Sequence, residues 1–237
     1  MLKDARSPVS PDDCTLIIPA YNEAERIGRV LEDCSTFQGR IIVVCDGTDA
    51  TAAEVRRWAD RHTGPPRITC LEYRHRLGKG GGVLAGMSET DTPFVGFMDA
   101  DGSVTAREMA RLFDELAGCD AAIGSRWVEG ACVPEPQPLT RRVESRLFNL
   151  GVRLLFGLRF SDTQCGAKVF WTACLDEVLP ALRSRGFEFD VELLWRLARQ
   201  GYRVREVPIT WRDTGGSKVG LGDTVRMAVS CVRVRFG

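Results

Sequence analysis

Short apolar runs rich in β-branched residues alternate with amphipathic stretches through the first half of this 237-residue chain. Five such runs precede residue 125, at 15–19, 41–45, 68–71, 94–98 and 121–123. Strands that alternate with helices form a largely parallel sheet with helices on both of its faces. The alternation therefore predicts an α/β fold in which ligands bind beyond the carboxyl ends of the strands.

Three of these runs are followed by acids, which the fold would bring to one rim. An aromatic ring, an amide and a carboxylate, as in Tyr21-Asn22-Glu23, can stack on and hydrogen-bond a nucleobase. The alternative is that Asn22 caps a helix and that Asp46 only starts a turn. Because both groups share one rim, binding is the favoured interpretation. The rim residues, in chain order, are Tyr21, Glu23, Asp46, Asp99 and Asp101.

Asp99 and Asp101 follow the apolar run FVGFM at positions i and i+2. On a strand end, two such carboxylates project to the same side, about 6 to 7 Å apart along the chain. A divalent cation held there can bridge the oxygens of a diphosphate and neutralise the charge that develops as it leaves. A solvated acidic turn is the alternative. With only two histidines in the chain, a hard cation such as Mg²⁺ or Mn²⁺ is favoured over zinc.

A glycine-rich segment, GKGGG at 78–82, contains Lys79 and precedes an apolar stretch. Backbone amides and one ammonium can approach a phosphate at such a place. The segment is not a P-loop, because that motif needs glycine where Tyr73 lies and serine or threonine where Gly80 lies. The first strand leads into no GxGxxG fingerprint either. A plain glycine-rich turn is the alternative to a phosphate site.

Composition narrows the class of protein. Lys and Arg number 32 against 32 Asp and Glu, and this zero formal charge argues against nucleic acid as a partner. Nine cysteines without a CxxC pair indicate reduced thiols. No apolar run approaches the ~18 to 20 residues of a membrane-spanning helix, and the N-terminus lacks the apolar core of a secretory signal. We therefore expect one cytoplasmic domain over residues 1–237, with its nucleotide-binding half at about 14–125.

The second half of the chain, about 126–237, differs from the first in composition and in its hydrophobic pattern. A proline-rich loop at 128–138 precedes an arginine-rich amphipathic segment at 140–160, and a similar segment occupies 221–236. Between them we expect strands at 168–171 and 204–209 and helices at 172–184 and 189–200. Each amphipathic segment is either an ordinary core-facing helix or one that lies on a membrane surface. Two such segments make this half a candidate for contact with lipid.

Taken together and in this order, the motifs resemble the GT-A fold glycosyltransferases, and among them the polyprenyl-phosphate sugar synthases of the dolichyl-phosphate mannose and glucose type. The resemblance covers about residues 15–219 and implies a Rossmann-like, mixed and mostly parallel sheet flanked by helices. DTQCG narrows the match to enzymes with lipid-phosphate acceptors. The matching stretches are IIPAYNEAERI, VVCDGTDAT, GKGGGV, FMDADGS, GSR, RRVESRLFN, DTQCGAKVF, GFEFDVELL and Arg212 with GSK at 216–218.

The resemblance implies roles for the candidate residues. A nucleotide sugar, GDP-mannose or UDP-glucose, would bind at the strand ends with a divalent cation on its diphosphate, and Asp99, Asp101 and Arg126 would be catalytic. Ser103 stands where relatives often carry glutamine, so we expect no direct metal ligand there. The implied nucleotide-sugar contacts are Pro19, Tyr21, Glu23, Asp46, Lys79, Arg212 and Lys218, the metal ligands are Asp99 and Asp101, and the acceptor-phosphate contacts are Arg126, Arg141 and Ser145.

The expected reaction is a single displacement, with inversion, by an oxygen of a polyprenyl or dolichyl phosphate. A phosphate dianion is a nucleophile near neutral pH, so positioning and charge neutralisation replace a strong base. Asp190 and Glu192 are candidate contacts to sugar hydroxyls. The enzyme would work peripherally at the cytoplasmic face of a membrane. The alternatives are a glycosyltransferase with another acceptor, a haloacid-dehalogenase-type phosphohydrolase, whose DxDGT signature FMDADGS resembles, and a non-catalytic membrane-surface module.

Overall fold

The computed structural model describes residues 8–135, 139–215 and 221–236, without the side chains of residues 141 and 221–225. Seven strands in these ranges form a single sheet, and the central ones are buried along most of their length because both faces are covered. The strands are β1 (Cys14–Ala20), β2 (Arg40–Cys45), β3 (Arg67–Glu72), β4 (Phe94–Met98), β5 (Ala121–Ser125), β6 (Ala167–Trp171) and β7 (Val204–Pro208).

The strand order is β3-β2-β1-β4-β6-β5-β7. β1 lies parallel to β2 and β4, and β2 lies parallel to β3. β6 runs antiparallel between β4 and β5, and β7 is parallel to β5. The predicted mixed, mostly parallel sheet is therefore confirmed. Because β6 and β7 come from beyond residue 125, the sheet joins the two predicted halves of the chain.

Helices cover both faces of the sheet. They are α1 (Ile27–Asp33), α2 (Thr51–Arg61), α3 (Gly78–Ser88), α4 (Ala106–Asp114), α5 (Leu139–Phe156), α6 (Thr172–Asp176), α7 (Phe189–Arg199) and α8 (Leu221–Phe236). One apolar core lies between the sheet and α1, α2 and α4, and a second lies between the opposite face and α3, α6 and α7. A third cluster joins α5, α7 and α8.

Two helix boundaries differ from the expected ones where proline or glycine intervenes. The segment predicted as one helix at 172–184 is divided into α6 and a 3-10 turn at Leu179–Ala181, which contains Pro180. α5 ends at Phe156 rather than at residue 160, because Gly157 adopts a left-handed φ of 69°. No helix in the described part of the chain is both long and apolar enough to cross a membrane.

Candidate active site

Two carboxylates lie directly beyond the end of β4, near the middle of the sheet. The Asp99 amide donates to the carbonyl oxygen of Gly166 at 3.1 Å, and Asp101 Oδ1 accepts from the amide of Ser103 at 2.9 Å. A Cβ atom on Gly166 would lie 2.0 Å from Asp99 Oδ2, so only glycine leaves room for this carboxylate. Burial and the neighbouring charge of Asp99 raise the pKa of Asp101 above its ordinary value.

This pair suits a divalent cation that shares its ligands with a substrate. The repulsion between the two carboxylates contributes to the raised pKa of Asp101, and it decreases when a dication binds beside them. Carboxylate oxygens are ligands that Mg²⁺ and Mn²⁺ accept, and Mg²⁺ keeps several positions for water and phosphate oxygens. Over the described ranges, no cluster of three or more His, Cys, Asp or Glu side chains could hold a metal ion. Two carboxylates leave the other positions around such a cation to oxygens of a diphosphate or of water.

A chain of buried charges continues inward from the Asp99 carboxylate. Lys79 Nζ, at the start of α3, is 2.9 Å from Asp99 Oδ1 and 3.0 Å from Asp190 Oδ2. Asp190 Oδ1 accepts in turn from Lys168 Nζ at 2.7 Å. Burial by itself would lower the pKa of Lys79 and raise that of Asp190, but the attraction between opposite charges outweighs it and shifts both in the reverse directions. Lys79 and Asp190 are therefore both charged.

Pro19, Tyr21 and Glu23 lie at the carboxyl end of β1, next to β4. The Arg76 guanidinium lies over the Tyr21 ring, 4.1 Å from its centroid. Glu23 Oε2 pairs with the guanidinium of Arg26 at 2.7 Å. An aromatic ring, a carboxylate and two arginines thus share the rim that carries Asp99 and Asp101, and this set can contact the base and the phosphates of a nucleotide.

The loop after β2 is tied to its neighbours by side chains. Asp46 Oδ2 accepts from two amides at the start of α3, at 2.7 and 3.1 Å, and so stabilises the N-terminus of that helix. Asn22 has a left-handed φ of 54°, and its Oδ1 accepts from the amide of Thr48 at 2.8 Å. Asn22 is not the cap of a helix, since α1 begins only at Ile27. Both side chains therefore fix the shape of the rim.

Arg126 follows β5 and forms a buried, bidentate ion pair with Asp162. The Nε–Oδ2 distance is 2.7 Å, and NH2 is 2.9 Å from Oδ1. Burial opposes the charge of the guanidinium, but Asp162 outweighs burial and raises the pKa of Arg126. The rings of Trp127 and Trp211 lie 5.4 and 5.2 Å from the Arg126 Cζ atom. The guanidinium is therefore fixed in place by an ion pair and two aromatic rings.

A cleft of about 570 Å³ opens beside Arg126. Arg142 and Arg146, one turn apart on α5, also line it, and the Arg146 guanidinium lies over the Trp127 ring at 4.1 Å. Three arginines with delocalised, permanent charge around one opening suit a phosphate group. The apolar side of the same cleft includes Val133 and the Trp rings.

The remaining predicted residues are placed as follows. Ser145 is half-buried on α5, between the two arginines that line the cleft. Arg212 directly follows Trp211, and its amide donates to the carbonyl oxygen of Ser103 at 3.0 Å, which ties this segment to the loop that carries Asp101. The side chain of Arg141 and the whole of Lys218 lie outside the described residues.

Sequence reasoning did not find the partners that hold the site together. Asp162 and Lys168 lie within the stretch DTQCGAKVF, but the sequence pattern does not show which residues they contact. A lysine inside an otherwise apolar strand is a usable signal, because a buried charge requires a partner. Arg142 and Arg146 carry no such signal, since each is one of several arginines on α5.

A sheet of this order, with paired carboxylates beyond β4, defines the GT-A class of nucleotide-sugar transferases. The chain belongs to glycosyl transferase family 2, whose model matches residues 15–179. It is a glycosyltransferase, so the predicted fold and enzyme class are confirmed. Membership of this family excludes the two alternatives of a haloacid-dehalogenase-type phosphohydrolase and a non-catalytic module.

Individual relatives and a solved structure show which glycosyltransferases the chain resembles in sequence and in structure. Polyprenol monophosphomannose synthase of Mycolicibacterium smegmatis is 37% identical over 93% of this chain and 86% of its own. Dolichyl-phosphate beta-glucosyltransferase of Saccharomyces cerevisiae is 29% identical over 94% and 74%. Glucosyl-3-phosphoglycerate synthase of Mycobacterium tuberculosis, solved with Mn²⁺ and UDP, superposes with a TM-score of 0.68 at 16% identity over 93% of this chain and 77% of that one. The predicted resemblance to polyprenyl-phosphate sugar synthases is confirmed.

Proposed function

We propose that this glycosyltransferase moves a hexose, with inversion, from a nucleotide sugar to a polyprenyl phosphate at a membrane surface. One observation carries the proposal: the segment 162–166 contacts both candidate subsites. Asp162 binds Arg126 beside the arginine-lined cleft, and Gly166 lies against the Asp99 carboxylate. A rigid link between a cation-binding carboxylate and a phosphate-binding arginine is what an in-line transfer between two phosphate groups requires.

The donor occupies the rim. Pro19, Tyr21, Glu23 and Asp46 bind the nucleotide end, and Asp99 with Asp101 holds a divalent cation. When bound, Mg²⁺ or Mn²⁺ neutralises the diphosphate as it departs. Arg212 and Lys218 add positive charge to the same diphosphate from the segment after Trp211. Support for the Arg212 position comes from its backbone contact with the Ser103 carbonyl, next to the cation site.

The acceptor phosphate lies in the cleft, held by Arg126, Arg142 and Arg146, with Arg141 and Ser145 on the same helix. One phosphate oxygen forms the bond to the anomeric carbon as the bond from that carbon to the diphosphate oxygen breaks. The nucleophile is a dianion, so no proton leaves it and no base is needed. Arginines fix the phosphate in position and disperse its charge.

The lipid chain extends along the apolar surface of α5 and α8, and the enzyme associates peripherally with the cytoplasmic face of the membrane. Among the described side chains of these two helices, eight large apolar ones are exposed, and the helices contact each other in the third core cluster. Arginines lie among them, as on helices that bind in the interface of anionic lipid. These residues are Leu139, Val143, Leu147, Leu150 and Leu154 on α5 and Val229, Val232 and Phe236 on α8.

The test supplies the purified protein with Mn²⁺ or Mg²⁺, polyprenyl-phosphate vesicles, and radiolabelled UDP-glucose or GDP-mannose in parallel. We expect label in the lipid phase from one donor, and none when EDTA is present. The donor that works identifies the sugar, which the mannose- and glucose-transferring relatives leave open. A parallel reaction with 3-phosphoglycerate tests a soluble phosphorylated acceptor. Label only there, or only free sugar, would overturn the lipid acceptor.

A further inference from the structure

The buried lysine Lys79 lies where it affects the proposed cation site most directly. Its side chain is 9% exposed, against 38% for the Asp99 side chain that it contacts. It bridges Asp99 Oδ1 and Asp190 Oδ2 at nearly equal distances, 2.9 and 3.0 Å. The ammonium is therefore held between two carboxylates and does not have an open path to a substrate phosphate. Its influence on the reaction has to pass through Asp99.

The second buried lysine, Lys168, also pairs with Asp190. The charge of Asp190 is therefore not available to Lys79 alone. The Lys168 side chain is fully buried, and its Nζ is 2.7 Å from Asp190 Oδ1. Asp190 thus divides its two oxygens between two lysines, one on each. The Lys79 ammonium is consequently shared between Asp190 and Asp99. The five charges Asp99, Asp101, Asp190, Lys79 and Lys168 sum to one negative charge.

We propose that Lys79 is a positioning residue that acts as a resident counter-cation on Asp99, and that it makes cation binding conditional on the donor diphosphate. With one net negative charge, the site attracts a dication only weakly, because Lys79 repels the ion at short range. A nucleoside diphosphate adds the missing negative charge, so ion and nucleotide bind together. By linkage, each then raises the affinity of the other by the same factor. This inference rests on the proposed cation site at Asp99 and Asp101, and it does not depend on the acceptor.

The test is the affinity for Mn²⁺, read from the electron paramagnetic resonance signal of the free ion, with and without UDP or GDP. Wild type should bind Mn²⁺ weakly alone and much more tightly with the matching nucleotide. Lys79→Met should bind Mn²⁺ alone at least about tenfold more tightly than wild type, because a nearby positive charge is gone. The factor by which nucleotide tightens Mn²⁺ binding should fall in the same proportion.

Lys168→Met is the matched control. It removes a buried lysine whose ammonium pairs with Asp190 and not with Asp99, so it should change Mn²⁺ affinity much less than Lys79→Met. Lys79→Gln removes the charge but keeps a hydrogen-bond donor, and it provides the measurement if Lys79→Met does not fold. Circular dichroism establishes that each variant is folded.

Unchanged or weaker Mn²⁺ binding by folded Lys79→Met or Lys79→Gln in the absence of nucleotide would overturn the inference. So would an equal gain in Lys168→Met. A wild type that binds Mn²⁺ and nucleotide together but labels no lipid contradicts the proposed acceptor and leaves Lys79's role standing. A wild type that labels lipid in EDTA and binds no Mn²⁺ with either nucleotide removes the role of Lys79 and leaves the transfer standing.

Discussion

The rim beyond β4 and the surface of α5 and α8 differ in the side chains that they carry and in how far these are buried. At the rim, Asp99, Lys79 and Asp190 are packed against one another with their charges paired over 2.9 to 3.0 Å. On α5 and α8, large apolar side chains face solvent, and Leu154 is 77% exposed. Buried ion pairs cost desolvation energy and fix their side chains in a single geometry. An exposed apolar surface imposes no such geometry on what it contacts. In the proposed function, the rim accordingly binds one small polyanion and the helical surface an extended apolar partner.

The boundary between these regions in space is not the boundary in sequence. The predicted nucleotide-binding half ends at about residue 125, yet Lys168 and Asp190 complete the charge chain behind Asp99. Gly166, also from the second half, leaves the room that the Asp99 carboxylate occupies. Substitutions that affect donor chemistry are therefore expected in both halves of the sequence, and those that affect only lipid access should map to α5 and α8.

The largest expected effect comes from Asp101→Asn. Loss of one of two cation ligands should reduce transfer by at least about 1,000-fold, since metal stabilisation of the departing diphosphate is worth several kcal/mol. The variant should remain folded, because burial and the charge of Asp99 already raise the pKa of Asp101 and make its ionised form costly. Initial rates of lipid labelling at saturating donor measure the loss.

Asp60→Asn, an exposed aspartate on α2, serves as the control and should keep full activity. If Asp101→Asn retains more than about a tenth of the wild-type rate, the cation is held elsewhere. The contrast between an organised rim and a permissive surface would then lose its main support.

Arg146→Ala tests the border between the two regions. Arg146 lies over Trp127 in the cleft, and the loss of one charge-assisted contact to phosphate should raise the KM for the acceptor about 10- to 100-fold. The KM for the donor should change little. Arg61→Ala removes an exposed arginine from α2, which does not line the cleft, and should leave both values unaltered. Equal effects on donor and acceptor would show that the cleft is not an acceptor site.

Leu154→Glu addresses the apolar surface alone. Placing a charge where lipid contact is expected should reduce transfer to long-chain polyprenyl phosphate in vesicles about tenfold. Transfer to a short, water-soluble isoprenyl phosphate should be unaffected, because the rim and the cleft are intact. Ala53→Glu, an exposed position on α2, adds the same charge on another surface. A loss with both acceptors, or an equal loss in Ala53→Glu, would contradict a lipid-binding role for α5.

The fold and the rim could be predicted from sequence because their signals are local. Apolar runs mark the central strands, and Asp99 and Asp101 directly follow one of them. The ion pairs of Arg126 with Asp162 and of Lys79 with Asp190 join residues that are distant in the chain. The insertion of β6 between β4 and β5 brings Asp162 to Arg126, and the packing of α3 against the start of α7 brings Lys79 to Asp190. Periodicity carries no information about either step. Glu192, the candidate contact to a sugar hydroxyl, has partners that lie close to it in the chain instead.

Glu192 lies on α7, two residues from Asp190, but its carboxylate organises a turn. Its oxygens accept from the amides of Arg183 and Ser184, at 3.1 and 2.8 Å, and from the guanidinium of Arg196. These bonds outweigh the effect of burial and lower the pKa of Glu192. The stabilisation that they give is therefore complete above the pKa of an unfolded glutamate, about 4.3, and is lost as the pH falls through the lower folded value.

The smallest effect on transfer is therefore expected from Glu192→Gln, which should lower the free energy of unfolding by about 2 kcal/mol near pH 7, because charge-assisted bonds are lost. The difference from wild type should shrink as the pH falls below the pKa of an unfolded glutamate, about 4.3, and on through the lower pKa of the native carboxylate. Urea unfolding at several pH values measures it, with the exposed Glu89→Gln as control. The transfer rate of the folded variant should stay within about twofold of wild type. A large loss of rate at unchanged stability would instead place Glu192 in the donor site, and the organised rim would then extend onto α7 as a contact to the sugar.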